Sequence, residues 1–160
     1  MLTENKKIVP VGRYIDISSA AANDADSINM AGYNHATFII QFHALGGAAT
    51  YVKVYSGATD GAKTSACTFY YAFGSAAAAS EDCDVLADWS TSSNLSVAHA
   101  TYDNYILVIE VPVSAMDSAN EEEWLTLSLE DTDTGATGNA TIIAILDPRY
   151  QSNQSVTALE

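Results

Sequence analysis

Short stretches in which every second residue is apolar constrain this chain more than any other feature. Phe38, Ile40 and Phe42 alternate with Thr37, Gln41 and His43. Val52 and Val54 alternate with Tyr51, Lys53 and Tyr55, and Leu125, Leu127 and Leu129 with Thr126, Ser128 and Glu130. A period of two puts one face of a strand on a core and the other toward water. Residues 69–73, 105–111 and 141–146 are apolar at both alternating sets of positions. That pattern predicts strands covered on both sides, at the centre of a sheet or with one face in an interface. Ile15 and Ile17 predict a short strand near the start, and residues 85–89 a further one.

The segments between these runs are turn material. Gly46-Gly47 separates the first two alternating runs at hairpin spacing. Gly57 and Asp60-Gly61 mark a second break, residues 74–80 a third, and Gly135 and Gly138 a fourth. Helix is expected only at residues 20–25 and as one turn over residues 112–117, where Pro112 suits a helix start. About seven or eight strands at this spacing predict an all-β, antiparallel β-sandwich or jelly-roll-like domain. The expected boundaries are an N-terminal arm over residues 1–12, the sandwich over 13–147 and a C-terminal arm over 148–160. Polar termini of this kind are loose ends or arms that order on a partner.

Charge narrows the partners. Lys and Arg total 6 against 20 Asp and Glu, a net charge of -14 over 160 residues. Such a surface repels phosphate backbones and favours a basic partner, so nucleic acid is not expected. No stretch approaches the roughly 20 apolar residues of a membrane helix, so no membrane partner is expected. Residues 1–7 are polar and lead into only Ile8-Val9-Pro10-Val11, too short for a signal-peptide apolar region, which predicts synthesis in the cytoplasm. The glycosylation-type triplets at Asn94, Asn139 and Asn153 are then chance matches. Cys67 and Cys83 have no CxxC spacing, so free thiols are expected, with a disulfide as the alternative.

The motifs that carry chemistry elsewhere fail here on inspection. Asp133-Thr134-Gly135 spells the aspartic-protease tripeptide, but Glu130-Asp131-Thr132 precedes it where an apolar strand belongs, and there is no second copy. Counted from Asp131 as a calcium loop, the fifth position is Gly135 and the twelfth Ile142, which breaks the ligand pattern. An irregular site from Glu130, Asp131 and Asp133 is the alternative to a solvated acidic turn. Glu121-Glu122-Glu123 and the group Glu81, Asp82, Asp84 read as solvated loops, or as patches that meet a basic partner. His35, His43 and His99 form no HExxH or paired spacing, and no GxSxG, GxxxxGK[ST] or GxGxxG occurs. The expectation is a non-enzyme with no cofactor and no metal.

The remaining signals are for contact. Tyr51 and Tyr55 lie on one strand face opposite Val52 and Val54, and tyrosine suits both protein interfaces and sugar-binding faces. Pro148-Arg149-Tyr150 stands out because Arg13 and Arg149 are the only arginines, and Arg and Tyr are favoured at interface hot spots. Tyr51, Tyr55, Pro148, Arg149 and Tyr150 are therefore the candidate partner-binding residues.

The order of these features carries a resemblance. An alternating strand follows Tyr33-Asn34-His35-Ala36-Thr37-Phe38. Next come Asp103-Asn104-Tyr105-Ile106-Leu107-Val108-Ile109-Glu110-Val111, then Trp124-Leu125-Thr126-Leu127-Ser128, then Ala144-Ile145-Leu146-Asp147-Pro148-Arg149-Tyr150. Over roughly residues 30–150 the chain resembles the small β-rich auxiliary head proteins of tailed bacteriophages, encoded beside the major capsid protein. The resemblance implies a decoration or cement protein, often a trimer at local symmetry axes. Such a protein sits on the outer face of the capsid and locks neighbouring major capsid protein subunits against internal DNA pressure. It implies a homo-oligomer in the virion and no catalytic residues. A carbohydrate- or host-surface-binding module is the alternative.

Overall fold

The structure is a computed structural model that describes residues 5–18, 23–131, 135–150 and 157–159. It is an all-β antiparallel sandwich of two sheets. The first contains β1 (Lys7–Asp16), β4 (Tyr33–Gly46), β7 (Phe69–Phe73), β8 (Ser90–Ser92), β10 (Ile106–Pro112) and β12 (Thr137–Pro148), in the order β1-β12-β4-β10-β7-β8. The second runs β2 (Asn23–Asp24), β11 (Trp124–Glu130), β5 (Ala49–Gly57), β6 (Ser65–Ala66). β3 (Ile28–Asn29) also pairs with β11, and β9 (Leu95–Ala98) with β5.

The alternation found in sequence becomes the core. Phe38, Ile40 and Phe42 from β4, Leu107 and Ile109 from β10, and Ile142, Ala144 and Leu146 from β12 are fully buried between the sheets. They meet Val52, Val54, Leu125, Leu127 and Leu129 from the second sheet in one cluster. The inner faces of the two sheets thus share a single core, as in a face-to-face sandwich. Among the described residues beyond Asn5, helix is α1 (His99–Tyr102) and two 3-10 turns, Val113–Ala115 and Ser118–Asn120. The turn after Pro112 is where the proline predicted one. Asn23–Asp24 is strand rather than helix, and residues 20–22 lie outside the described residues.

Several expectations are corrected. Gly46-Gly47 makes no hairpin: β4 and β5 belong to different sheets, so the chain crosses from one layer to the other there. Gly47 has φ +80°, and a Cβ at this position would meet the Gly135 carbonyl oxygen at 1.9 Å, which requires glycine. β11 does not alternate between core and water, because Thr126 and Ser128 are buried as well. Ser27 Oγ and Thr126 Oγ1 lie 2.7 Å apart, Gly61 N donates to Ser27 Oγ at 3.1 Å, and Ser128 Oγ donates to Asp24 at 2.6 Å. Distant segments thus cover the outer side of that strand and satisfy its hydroxyls. Residues 85–89 are loop; only Leu86 bridges to Gly74.

The expected arms start in the wrong places. Residues 7–12 belong to β1, whose Val9 and Val11 reach the core, and Pro148 ends β12 opposite Tyr33. Apolar residues too few to pack alone gain a place here by joining a sheet edge. Residues 157–159 also return to the body. Asn29 N donates to the Ala158 carbonyl at 2.9 Å, and Ala158 is buried.

Candidate functional site

Because β1, β12, β4, β10 and β7 pair in register, side chains at partner positions share a face. On the outward face of this sheet one row crosses five strands: Pro10 opposite Ile143, Ile143 opposite Ile39, Ile39 opposite Val108, Val108 opposite Ala72. The next row is Ile8, Ile145, Thr37, Glu110 and Tyr70. Ile8 is 45%, Ile143 38% and Tyr70 52% exposed. Pro10 is exposed, and Ile39, Val108, Ile106 and Ile145 are half-buried. The runs that looked apolar on both faces in sequence are therefore covered on one face only. The exception is the end near Ile106 and Ala72, the latter fully buried, where the loop over residues 74–88 folds across: Gly74 N donates to the Ile106 carbonyl and Ala78 N to that of Asn104, at 2.8 and 2.9 Å.

Polar side chains frame the row. Lys6 pairs with Asp147, and His35 Nε2 lies 3.8 Å from a Glu110 carboxylate oxygen. At the other side Gln41 donates to the Phe42 and Asn104 carbonyls at 3.0 Å. Glu110 and Asp147, beside the row, each face a basic group, and Asp16 at the far end of β1 accepts from Ser18. The edges of both sheets offer less. β2, β6 and β8 are two or three residues long, and β1 carries Pro10 and two register shifts. Short, proline-bearing, bulged edges resist strand addition.

The candidate residues named from sequence fall elsewhere. Tyr51, Lys53 and Tyr55 lie on the outer face of the second sheet. Lys53 Nζ donates to Glu130 Oε2 at 2.6 Å and the Tyr55 hydroxyl to Glu130 Oε1 at 2.9 Å, while Lys63 Nζ stands 5.6 Å from the Tyr55 ring centre. Burial pushes the Glu130 carboxyl upward, but the Lys53 and Tyr55 hydrogen bonds with the nearby lysine charges outweigh it and hold it below the ordinary value. The Lys53 ammonium is raised by its bond to Glu130, and the Tyr55 phenol by burial and by Glu130. Tyr55 is thus committed to an internal network. Arg149 ties strand ends together: its backbone N donates to the Gly32 carbonyl at 2.9 Å and its Nε to the Tyr33 carbonyl at 3.1 Å. Pro148 is half-buried beside it and Tyr150 is 72% exposed.

The acidic groups separate. Glu122 is not solvated with its neighbours but buried, accepting from Ser56 at 2.5 Å and Ser65 at 3.1 Å, two hydroxyls that replace its water. Glu81, Asp82 and Asp84 are exposed. Asp133 and Thr134 lie outside the described residues, and with them two members of the protease tripeptide and one of the irregular calcium site. Among the described residues no group of three or more His, Cys, Asp or Glu side chains is placed to hold a metal ion. His99 is buried as a structural bridge: Nδ1 lies 2.7 Å from the Gly46 carbonyl and Nε2 2.8 Å from Thr50 Oγ1. Both cysteines are free thiols, Cys67 buried and Cys83 half-exposed.

Sequence reasoning missed Pro10, Ile39, Val108, Ile143 and Ala72 as a set. The double-sided apolar runs signalled three of the strands, β7, β10 and β12, but nothing local signals the register that aligns them.

Fold and surface together define an antiparallel two-sheet β-sandwich with one open, weakly charged apolar face. The same fold is found in the crystal structure of the SPBc2 prophage-derived protein YomS, with a TM-score of 0.54 at 11% identity, over 89% of this chain and 92% of that one. No protein-family model and no curated protein matches the chain.

Proposed function

We propose that this chain is a non-catalytic structural protein of a phage particle, one that decorates and cements the capsid by binding the outer surface of the major capsid protein shell. The observation that carries this reading is the apolar row Pro10, Ile143, Ile39 and Val108, which reaches solvent across four strands before it passes under cover at Ala72. Contiguous exposed apolar surface with a polar rim marks an interaction site. Depletion of charge at its centre is the composition of an interface core.

The phage setting is supported by the fold shared with a prophage-derived protein and by the resemblance to auxiliary head proteins. Charge supports the geometry. The row itself carries no charged residue while the chain carries a net -14, so a shell surface with basic groups around an apolar patch attracts the protein and orients it. Self-association into a trimer belongs to the same reading, as does residence on the virion after synthesis in the host cytoplasm.

The test is addition of the purified chain to capsids that lack it. Saturable co-sedimentation and an oligomeric mass by light scattering are expected. A strict monomer that leaves the capsids bare contradicts the proposal.

A further inference from the structure

Where β7 and β8 meet α1 and the start of β10, the sandwich opens into a cleft of about 500 Å³. Its wall is aromatic. Phe73 and Tyr102 stack with ring centres 3.7 Å apart and 11° between planes. Tyr105 stands edge-on to Tyr102 at 5.6 Å, and Tyr71 edge-on to Phe73 at 6.1 Å. Tyr71 and Tyr102 are half-buried and packed on the core, so the wall is preformed. The rim is polar and uncharged apart from Asp88: Ser75, Ser90 and Thr101 complete it. Among the described residues the Asp88 carboxylate and these three hydroxyls make no side-chain hydrogen bond within the protein. No Lys or Arg lines the cleft.

We propose that this cleft is a binding site for a neutral saccharide. Each part matches a part of a pyranose. The C–H face of the ring carries slight positive charge and packs on the negative face of an aromatic ring. Adjacent sugar hydroxyls are donors, and an ionised carboxylate accepts two of them in bonds stronger than neutral ones. The serine and threonine hydroxyls serve as donor or acceptor as the sugar requires. Asp88 without a nearby cation, in a chain of net charge -14, repels phosphorylated and acidic sugars, and nucleotides equally. The Tyr51 and Tyr55 face, by contrast, has its phenol and one ring side already engaged. The saccharide site is independent of the capsid-binding face, since it opens at the β7–β8 end rather than on the outer row.

The experiment is saturation-transfer NMR and isothermal titration of the full chain. The probes are a panel of neutral gluco-, galacto- and manno-oligosaccharides, matched uronic-acid oligosaccharides, and purified neutral cell-wall polysaccharide. Binding to at least one neutral oligosaccharide is expected, roughly millimolar or tighter. Asp88→Ala, an exposed position, is expected to weaken it about tenfold or more with the circular dichroism unchanged. Tyr105→Ala is expected to weaken it to a similar degree through lost stacking. Binding of the polysaccharide but of no short oligosaccharide keeps the site with an extended ligand, provided both substitutions abolish it. No binding of any neutral sugar at ten-millimolar concentration overturns the proposal, as does tighter binding of the acidic sugars or affinity unchanged in both variants.

Discussion

Ile143 on β12 and Ile39 on β4 are direct cross-strand partners whose side chains lie on the outward face of the sheet, while their sequence neighbours Ile142 and Ile40 form the opposing pair in the core. One residue of register separates the folded interior from the proposed binding surface. A slip of one would exchange the two sets.

That relationship predicts opposite outcomes for adjacent substitutions. Ile142→Ala removes a fully buried side chain and is expected to cost about 2–5 kcal/mol. Ile143→Ala acts at a position 38% exposed and is expected to cost under about 1 kcal/mol. Urea denaturation of both variants measures the difference.

Acid stability is expected to depend on Glu130. Its carboxyl titrates below its ordinary value in the folded chain. The unfolded chain therefore binds the proton first as pH falls. The stabilisation is complete above the ordinary glutamate range and is lost as pH drops through it and past the depressed folded value. Lys53, raised in the folded chain, holds its share below the ordinary lysine range and loses it as pH rises through the folded value. Glu130→Gln is expected to lower stability at neutral pH by about 1–2 kcal/mol. It also flattens the acid limb of the curve of stability against pH, which denaturation at a series of pH values reads directly.

The thiols are expected to react unequally. Burial raises the Cys67 thiol, and it is fully covered, whereas Cys83 is half-exposed in the loop over the sheet. Since the thiolate is the reactive form, a thiol reagent such as Ellman's is expected to titrate one equivalent promptly in the native protein. The second equivalent appears only on unfolding.

The C-terminal residues are expected to contribute to stability rather than hang free. Ala158 is 2% exposed and its carbonyl accepts from Asn29. Ala158→Asp buries a charge without a cation partner and is expected to lower stability by about 1–3 kcal/mol, seen as a lower thermal midpoint.

The sequence carried the class of fold well because Phe38, Ile40, Phe42, Val52 and Val54 obey the local rule for a strand with one dry side. It carried β11 only in part: Leu125, Leu127 and Leu129 announce a strand, but the cover over Thr126 and Ser128 comes from Ser27 and Asp24, about a hundred positions away. Leu95-Ser96-Val97-Ala98 was too short to stand out, and Gly46-Gly47 turns the chain between layers with the same residues that would close a hairpin. The candidate surface was visible as a surplus of apolar residues at Ile106, Val108, Ile143 and Ile145. Its location was not, because alignment of those residues with Pro10 and Ala72 depends on non-local pairing across five strands.

The central claim is attachment to the capsid shell through the outer row, and Ile143→Lys tests it most directly. The substitution puts a charge within the exposed part of the row while leaving the core intact. Binding to capsids lacking this protein, measured by quantitative co-sedimentation beside the unsubstituted chain, is expected to fall at least about tenfold, a loss of roughly 1.4 kcal/mol, with unchanged thermal stability. Undiminished binding by a folded Ile143→Lys variant would contradict the account.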